Sequence, residues 1–175
     1  MVRGRKNPAF LGLVSRLKRL RKAAGMSYDS VAAATGMLDA PTVFRLEHGQ
    51  RIPRLDTVEK VATALAVSPS YLAYGVHATA PVGCESSGAS YMGQRLRSAR
   101  EALGLSILAI AKHAGISHTS VGNIERGAMP NIEAAERLAV ALGVSPAWLA
   151  FGAEPVNARR LPPRRSTDSL SPSSD

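Results

Sequence analysis

The chain has 175 residues, of which 22 are Lys or Arg and 13 are Asp or Glu, giving a formal net charge of +9. This length allows one ordinary domain or two small ones, and the excess of cations suits a polyanionic partner such as nucleic acid. Cys84 is the only cysteine, so an intramolecular disulfide and a cysteine-based zinc site are excluded. No apolar run reaches the roughly 18 residues of a membrane span. The N-terminal cations are not followed by the apolar segment of a signal peptide. We therefore expect a protein of the reducing cytoplasm.

The sequence contains two copies of one unit. In the first half of the unit, matching residues recur 79 positions apart: Leu17, Arg21, Gly25, Ser27, Ala32 and Gly36 return as Leu96, Arg100, Gly104, Ser106, Ala111 and Gly115. The offset is 78 at Val43 and 77 from Pro53 onward, because repeat 1 carries one extra residue before each of these positions. An internal repeat of this size predicts two similar domains in tandem.

Glycines and capping residues divide each copy into short helices. In repeat 1, Gly25, Gly36 and Gly49 end helices, and Ser27, Asp39 and Ser68 begin them. In repeat 2, the same pattern predicts helices over about 93–103, 107–114, 118–125 and 132–142, and a short fifth helix that opens at Ser145 and Pro146. The apolar residues of these helices, Leu103 and Leu108 among them, are expected to form one small core per unit.

No segment of either unit alternates with a period of two residues, so the predicted fold class is all-α. We predict two tandem five-helix domains at residues 8–75 and 92–152. Residues 76–91 are expected to be a linker, and residues 153–175, rich in Pro, Ser and Arg, a disordered tail.

The second and third helices of each copy form a helix, short turn, helix pattern. Ala32 and Ala111 stand in the middle of the second helix, where a larger side chain would hold the third helix away, and Gly36 and Gly115 make the turn. These spacings resemble the Cro and lambdoid-repressor (XRE-type) helix-turn-helix family. The endings VSPSYLAYG and VSPAWLAFG are similar to the last helix of that fold.

The resemblance implies that the third helix of each repeat enters the major groove of double-stranded DNA with its first residues on base edges. Arg45 would read guanine, Asn123 would read adenine, and Thr119 would meet a thymine methyl group. The full DNA-binding set implied by position is Ser27, Tyr28, Ala40, Pro41, Thr42, Arg45 and Arg51 in repeat 1, and Ser106, Ser117, His118, Thr119, Asn123 and Arg126 in repeat 2.

Ser27 and Ser106 open the second helices, whose exposed N–H groups can hold a phosphate. The family's usual Gln at the next position is absent: Tyr28 keeps a hydroxyl for this contact, whereas Ile107 has none. Residues 1–75 hold 12 Lys or Arg against 5 Asp or Glu, but residues 92–152 hold only 6 against 4. Repeat 1 is therefore expected to be the stronger electrostatic anchor.

Two ion pairs also follow from the resemblance. Arg21 with Glu47, and Arg100 with Glu125, match a family pair that links the first helix to the end of the third. We interpret these carboxylates as structural and not catalytic. No nucleophile, base and orienting group can be assembled elsewhere, and the four histidines are not at metal-ligand spacings, so we expect no enzyme activity, no metal and no cofactor.

These observations predict a sequence-specific bacterial or phage transcription regulator, such as a repressor, in the cytoplasm or nucleoid. An alternative is an antitoxin or adaptor in which repeat 1 binds DNA and repeat 2 binds a protein partner or a second copy of the chain. An apolar patch around the third helix of repeat 2 would favour this alternative. A third reading is a non-specific nucleoid protein. With a flexible linker, the unlike third helices predict two unlike half-sites for each chain.

Overall fold

The computed structural model describes residues 8–79 and 88–155. Repeat 1 consists of α1 (Pro8–Ala23), α2 (Tyr28–Thr35), α3 (Ala40–Glu47), α4 (Leu55–Ala64) and α5 (Pro69–Tyr74). Repeat 2 consists of a 3₁₀ turn (Ala89–Tyr91), α6 (Met92–Ala102), α7 (Ile107–Ala114), α8 (His118–Glu125), α9 (Ile132–Leu142) and α10 (Pro146–Phe151). The predicted all-α class with two tandem five-helix units is confirmed.

The helix boundaries follow from local capping chemistry. The side chains of Ser27, Asp39 and Ser68 each accept a hydrogen bond from the backbone N–H three residues further on, as N-caps do. Ser106, Ser117 and Ser145 do the same in repeat 2. The predicted start of each of these helices is therefore confirmed.

The two repeats contribute matching apolar residues to the core, and these join into one cluster, not into the separate core per unit that the sequence predicts. Leu17, Val31, Val43, Leu55 and Leu72 are buried in repeat 1, and Leu96, Ile110, Val121, Ile132 and Leu149 in repeat 2. Two residues that we expected in the core of repeat 2 are instead exposed, Leu103 by 54% and Leu108 by 68%. Leu108 precedes the buried Ile110 by two residues, which turns it about 200° around the helix and onto the solvent face. Leu103 is the C-cap of α6 and lies where the helix ends.

An arginine near the start of each repeat holds the last helix in place. The Arg16 Nε donates to the carbonyl oxygen of Leu72 at 2.9 Å, and the Arg95 Nε donates to that of Leu149 at 2.9 Å. Each guanidinium also bonds the next carbonyl group along the chain. These bonds satisfy carbonyl groups at the C-terminal end of a short helix, where cations are favoured.

The two repeats pack against each other. Helix α5 contacts α10, α1 contacts α9, and α4 contacts the 3₁₀ turn that precedes α6. Strand β1 (Ala78–Thr79) pairs with β2 (Glu154–Pro155) in antiparallel orientation. Thus the described ends of the expected linker and the first residues of the expected tail are structured, whereas residues 80–87 and 156–175 lie outside the described residues.

A carboxylate of repeat 1 makes a hydrogen bond to the start of repeat 2. The Glu59 side chain on α4 accepts a hydrogen bond from the backbone N–H of Ala89 through Oε1 at 2.6 Å. Burial raises the pKa of Glu59 above its ordinary value. Glu59 therefore caps the first turn of repeat 2 from within repeat 1.

Candidate nucleic-acid interface

The helix-turn-helix geometry is present in both repeats. Gly36 and Gly115 adopt left-handed backbone conformations at the ends of α2 and α7, with φ of 66° and 63°, and so make the turn to the third helix. Ala32 and Ala111 are buried at the predicted positions between the two helices. The small residues thus allow α3 and α8 to pack closely while their outer faces stay in solvent.

In repeat 1, helix α3 presents a mixed polar and apolar face. Val43 and Leu46 are buried, whereas Pro41 and Arg45 are exposed, and the predicted Ala40 and Thr42 are half-buried at the N-terminal end. Because Arg45 is exposed near the end of α3, its guanidinium is accessible to a ligand on this face.

In repeat 2, the exposed face of α8 is entirely polar. His118, Thr119 and Asn123 are all exposed, as predicted for residues that contact bases, and Ser117 caps the helix. The predicted Arg126 donates through Nη2 to Oδ1 of Asn123 at 2.6 Å. This bond orients the Asn123 amide and leaves its NH₂ group as a free donor.

A cluster of aromatic side chains lies beside α3, and sequence reasoning missed its centre. Phe44 is 40% exposed, stacks on His48 with ring centroids 3.9 Å apart, and meets the edge of Tyr28 at 5.6 Å. The spacing of Phe44 and His48, four residues apart on one helix, was the available signal. Gly122 takes the place of Phe44 in repeat 2, so only repeat 1 has an apolar ring on this surface.

Tyr28 is engaged within the protein. Its hydroxyl donates to Oε1 of Glu47 at 3.1 Å, and the guanidinium of Arg21 lies 4.2 Å from the centre of its ring. Burial and the bond to Glu47 raise the pKa of the Tyr28 hydroxyl. A phosphate contact by Tyr28 would have to share this hydroxyl, so that contact stays a prediction.

The N-terminal ends of α2 and α7 differ in charge. The exposed Ser27 and Ser106 cap these helices through their side-chain oxygens, as predicted. Asp29 stands in the first turn of α2, whereas the first turn of α7 has no acidic residue. A carboxylate at this end repels phosphate, so repeat 2 keeps the more favourable helix end despite Ile107.

The two predicted ion pairs are present. Arg21 donates through Nε and Nη2 to both carboxylate oxygens of Glu47, at 2.6 and 2.9 Å, and Arg100 makes the same paired bonds to Glu125 at 2.6 and 3.1 Å. The bond from Arg21 lowers the pKa of Glu47 below its ordinary value. Each pair ties the first helix of its repeat to the end of the third helix.

Two arginines lie near the start of α3. Arg51 and Arg54 line a cleft of about 320 Å³ together with Asp39 and Thr42. Arg51 is exposed, and Arg54 forms a weak pair with Asp56 at 3.6 Å. The predicted Arg51 is thereby brought to the same concave surface as the first turn of α3. Sequence reasoning did not single out Arg54.

The described residues contain neither a metal-binding cluster nor a membrane-spanning helix. No group of three or more His, Cys, Asp or Glu side chains is arranged to hold a metal ion in residues 8–79 and 88–155. Within the same ranges, every helix is too short or too polar to cross a membrane.

Comparison with known proteins gave one family match. A helix-turn-helix family model matches the chain twice, over residues 17–72 and 96–149. The two matched segments coincide with the two repeats and together span more than half of the chain. No curated protein and no solved structure matched the chain.

Proposed function

Because the chain belongs to the XRE-type helix-turn-helix family and is a DNA-binding regulator of that kind, we propose that it binds double-stranded DNA sequence-specifically and reads the major groove with α3 and α8. One observation carries this proposal: both third helices are anchored by buried apolar residues and expose groups that can read base edges. We place this activity in the bacterial cytoplasm or nucleoid.

In repeat 1, Arg45 is the principal base-reading residue. Its guanidinium presents two parallel donors that match the O6 and N7 acceptors of guanine. Ala40, Pro41 and Thr42 form the first turn of α3 and supply small contacts to thymine methyl groups or the backbone. Arg51 holds phosphate on one side, and the capped end of α2 at Ser27 makes a weaker phosphate contact on the other, because Asp29 stands in its first turn.

In repeat 2, Asn123 reads adenine with its amide. Its NH₂ group donates to N7, and the second lone pair of Oδ1 accepts from N6, because Arg126 occupies only one lone pair. His118 and Thr119 contact neighbouring bases. Ser106 and Ser117 hold phosphate at the ends of α7 and α8.

Selection of bound fragments from a random duplex library with the purified full chain tests this proposal. A specific regulator will enrich a defined motif and bind it at least about 1,000-fold more tightly than random duplex. Equal affinity for selected and random duplexes would instead identify a non-specific nucleoid protein, and the proposal would be wrong.

A second candidate function is that repeat 2 binds a protein partner, as in an antitoxin or adaptor. Three large apolar side chains of repeat 2 are exposed where repeat 1 has smaller or polar residues: Leu103, Leu108 and Val140 replace Ala24, Asp29 and Thr63. A contiguous exposed apolar patch is typical of protein contacts, whereas single exposed apolar residues are common on monomers. Against it, the outer face of α8 carries no large apolar residue, whereas α3 carries Phe44.

Footprinting separates the two candidates. If both repeats read DNA, the protected region will contain two blocks, and Asn123→Ala will weaken binding. If repeat 2 is a protein-binding module, only one block will be protected and Asn123→Ala will leave DNA affinity unchanged.

A further inference from the structure

Two hydrogen bonds join the repeats in a reciprocal manner. The backbone N–H of Leu55 donates to the carbonyl oxygen of Pro130, and that of Ile132 donates to the carbonyl oxygen of Pro53, both at 3.1 Å. Pro53 and Pro130 hold matching positions in the two repeats, as do Leu55 and Ile132. Each bond is therefore the image of the other when the repeats are exchanged, which is the signature of a two-fold axis.

Other contacts across the boundary obey the same exchange. The rings of Tyr74 and Phe151, 77 positions apart, face each other with centroids 6.2 Å apart. Ala78 lies opposite Pro155 in the antiparallel pair of β1 and β2, again at matching positions. The contact of α1 with α9 also mirrors that of the 3₁₀ turn with α4.

A shared pseudo-two-fold axis fixes how the recognition helices are presented. Since α3 and α8 belong to the bodies that this axis relates, a duplex that contacts both helices meets them in opposite directions along its length. Duplex DNA itself has two-fold axes perpendicular to its length, and protein symmetry of this kind is matched by inverted half-sites.

We infer that one chain acts as a covalently joined pseudo-dimer that binds two unlike half-sites in inverted orientation at one fixed spacing. This inference rests on the proposed function and specifies its DNA target. The half-sites are inverted because of the axis, and their spacing is fixed because the repeats are docked. They are unlike because α3 presents Arg45 and α8 presents Asn123.

The two-fold symmetry is only approximate, because some of the residues that the axis relates differ in chemistry. Arg54 stands next to the axis in repeat 1, where Asn131 stands in repeat 2 and uses its side chain to cap α9. The Tyr74 hydroxyl donates to the carbonyl oxygen of Ile132 at 3.3 Å, a bond that Phe151 cannot return. Positive charge next to the axis is therefore greater on the side of repeat 1, which favours unlike half-sites over a perfect palindrome.

This arrangement differs from two domains on a flexible tether. A tether would let each domain find its half-site in either orientation and over a range of spacings, with the optimum set by linker length. Docked repeats allow one orientation and one spacing, and linker length does not affect either.

Duplex variants of the site selected by the full chain test the inference. In the first variant one half-site is reversed, and in the second about 5 base pairs, half a helical turn, are inserted at the centre. We expect each change to weaken binding by about 100-fold or more, the gain that joining two modules provides. Native mass spectrometry should find one chain on the parent duplex.

A protein variant serves as the matched control. Ten Gly and Ser residues inserted between residues 80 and 87 lengthen the connection while leaving the contacts of the described residues in place. The preferred spacing should be the same for this variant and the unmodified chain. A shift of the optimum with linker length would show a tether and overturn the inference.

The outcomes separate the inference from the proposed function. Specific binding that tolerates reversal or insertion, or two chains on a palindrome of identical half-sites, would leave the function intact and overturn the pseudo-dimer. The absence of any preferred duplex would contradict the proposed function, and the inference with it.

Discussion

Leu55 and Ile132 are the first residues of α4 and α9, and each donates its backbone N–H to a carbonyl oxygen of the opposite repeat at 3.1 Å. An N–H at the first position of a helix has no acceptor within that helix. The opposite repeat supplies the missing acceptor in both cases. These two amides therefore report directly on whether the repeats are docked in solution.

Hydrogen exchange of these amides is the first prediction. In the free, unmodified chain, the N–H groups of Leu55 and Ile132 should exchange far more slowly than those of Tyr28 and Ile107, the first residues of α2 and α7. The two control amides hold the same helical position, but neither donates to the opposite repeat. Equally fast exchange at all four positions, measured by NMR, would mean that the repeats separate readily.

A second prediction concerns the ion pair between Arg21 and Glu47, whose side chains are only 12% and 1% exposed. Glu47→Gln leaves the guanidinium without its buried counter-charge and should lower the free energy of unfolding by about 3 kcal/mol at pH 7. Glu101→Gln removes a half-exposed carboxylate that pairs with Arg97 at 2.9 Å and with Arg100 at 3.5 Å, and Arg100 keeps its closer pair with Glu125. This change should alter the free energy of unfolding by less than about 0.5 kcal/mol. Denaturant titration measures both.

The pH dependence of this effect has a defined sign. Arg21 lowers the pKa of Glu47 in the folded state, so the stabilisation is complete above the unfolded pKa, about 4.3, and is lost as the pH falls through the folded pKa. The stabilities of the unmodified chain and Glu47→Gln should thus begin to converge as the pH falls below about 4.3. A constant difference down to pH 3 would contradict the assignment.

Gly93 provides a third prediction, because it lies where α6 crosses the end of α8. A Cβ at this position would lie 2.3 Å from the carbonyl oxygen of Ile124 and 3.2 Å from that of Glu125. Gly93→Ala must therefore push the two helices apart, at a cost of about 1 to 3 kcal/mol.

Gly122 is the matched control for this substitution. It lies inside α8, and the nearest atom to an added Cβ is Nη1 of the exposed Arg126 at 3.5 Å, an ordinary van der Waals contact. Gly122→Ala should be neutral or stabilising by up to about 1 kcal/mol, since alanine favours helix. Thermal unfolding of both variants decides the matter, and equal effects would refute the crossing-site explanation.

Local features of the fold were predictable from the sequence because they depend on short-range chemistry. The caps at Ser27 and Asp39 and the turns at Gly36 and Gly115 require only residue types at fixed spacings. The same short-range rules wrongly predicted that Leu103 and Leu108 are buried. An apolar residue type alone does not indicate which face of a short helix packs against the rest of the protein. The periodicity around Ile110 was the better guide.

Packing between the repeats was not predictable, because the residues that make it look like core residues of their own repeat. Tyr74 and Phe151 read as ordinary core residues of the last helices, and nothing in their types indicates that they meet. Arg16 and Arg95 were different: they recur 79 positions apart like the other matched residues, and this recurrence was a visible signal of a shared structural role.

The fourth prediction concerns salt. A chain of net charge +9 that neutralises about 6 phosphates should lose affinity with a slope near −5 in a plot of log K against log salt concentration. Fluorescence anisotropy on the selected duplex measures this slope. A flat response would exclude phosphate contacts as the main source of affinity.

The last prediction ranks the base-reading residues. Arg45 is exposed on α3 within the more cationic repeat, so Arg45→Ala should cost about 1 to 3 kcal/mol on the selected site and relax the preference at one base pair. Asn123→Ala should cost less, because repeat 2 carries less positive charge to support its contacts. Arg126→Ala should reduce discrimination at the same base pair as Asn123→Ala, since Arg126 orients that amide.

The control for this ranking is Arg137→Ala, which removes an exposed arginine of α9 paired with Glu133 and should leave the base preferences unchanged. Binding to duplexes with single base changes measures each effect. If Asn123→Ala proved more damaging than Arg45→Ala, the ranking would be reversed. The end of α7, which has no acidic residue such as Asp29 to repel phosphate, would then outweigh the charge of repeat 1.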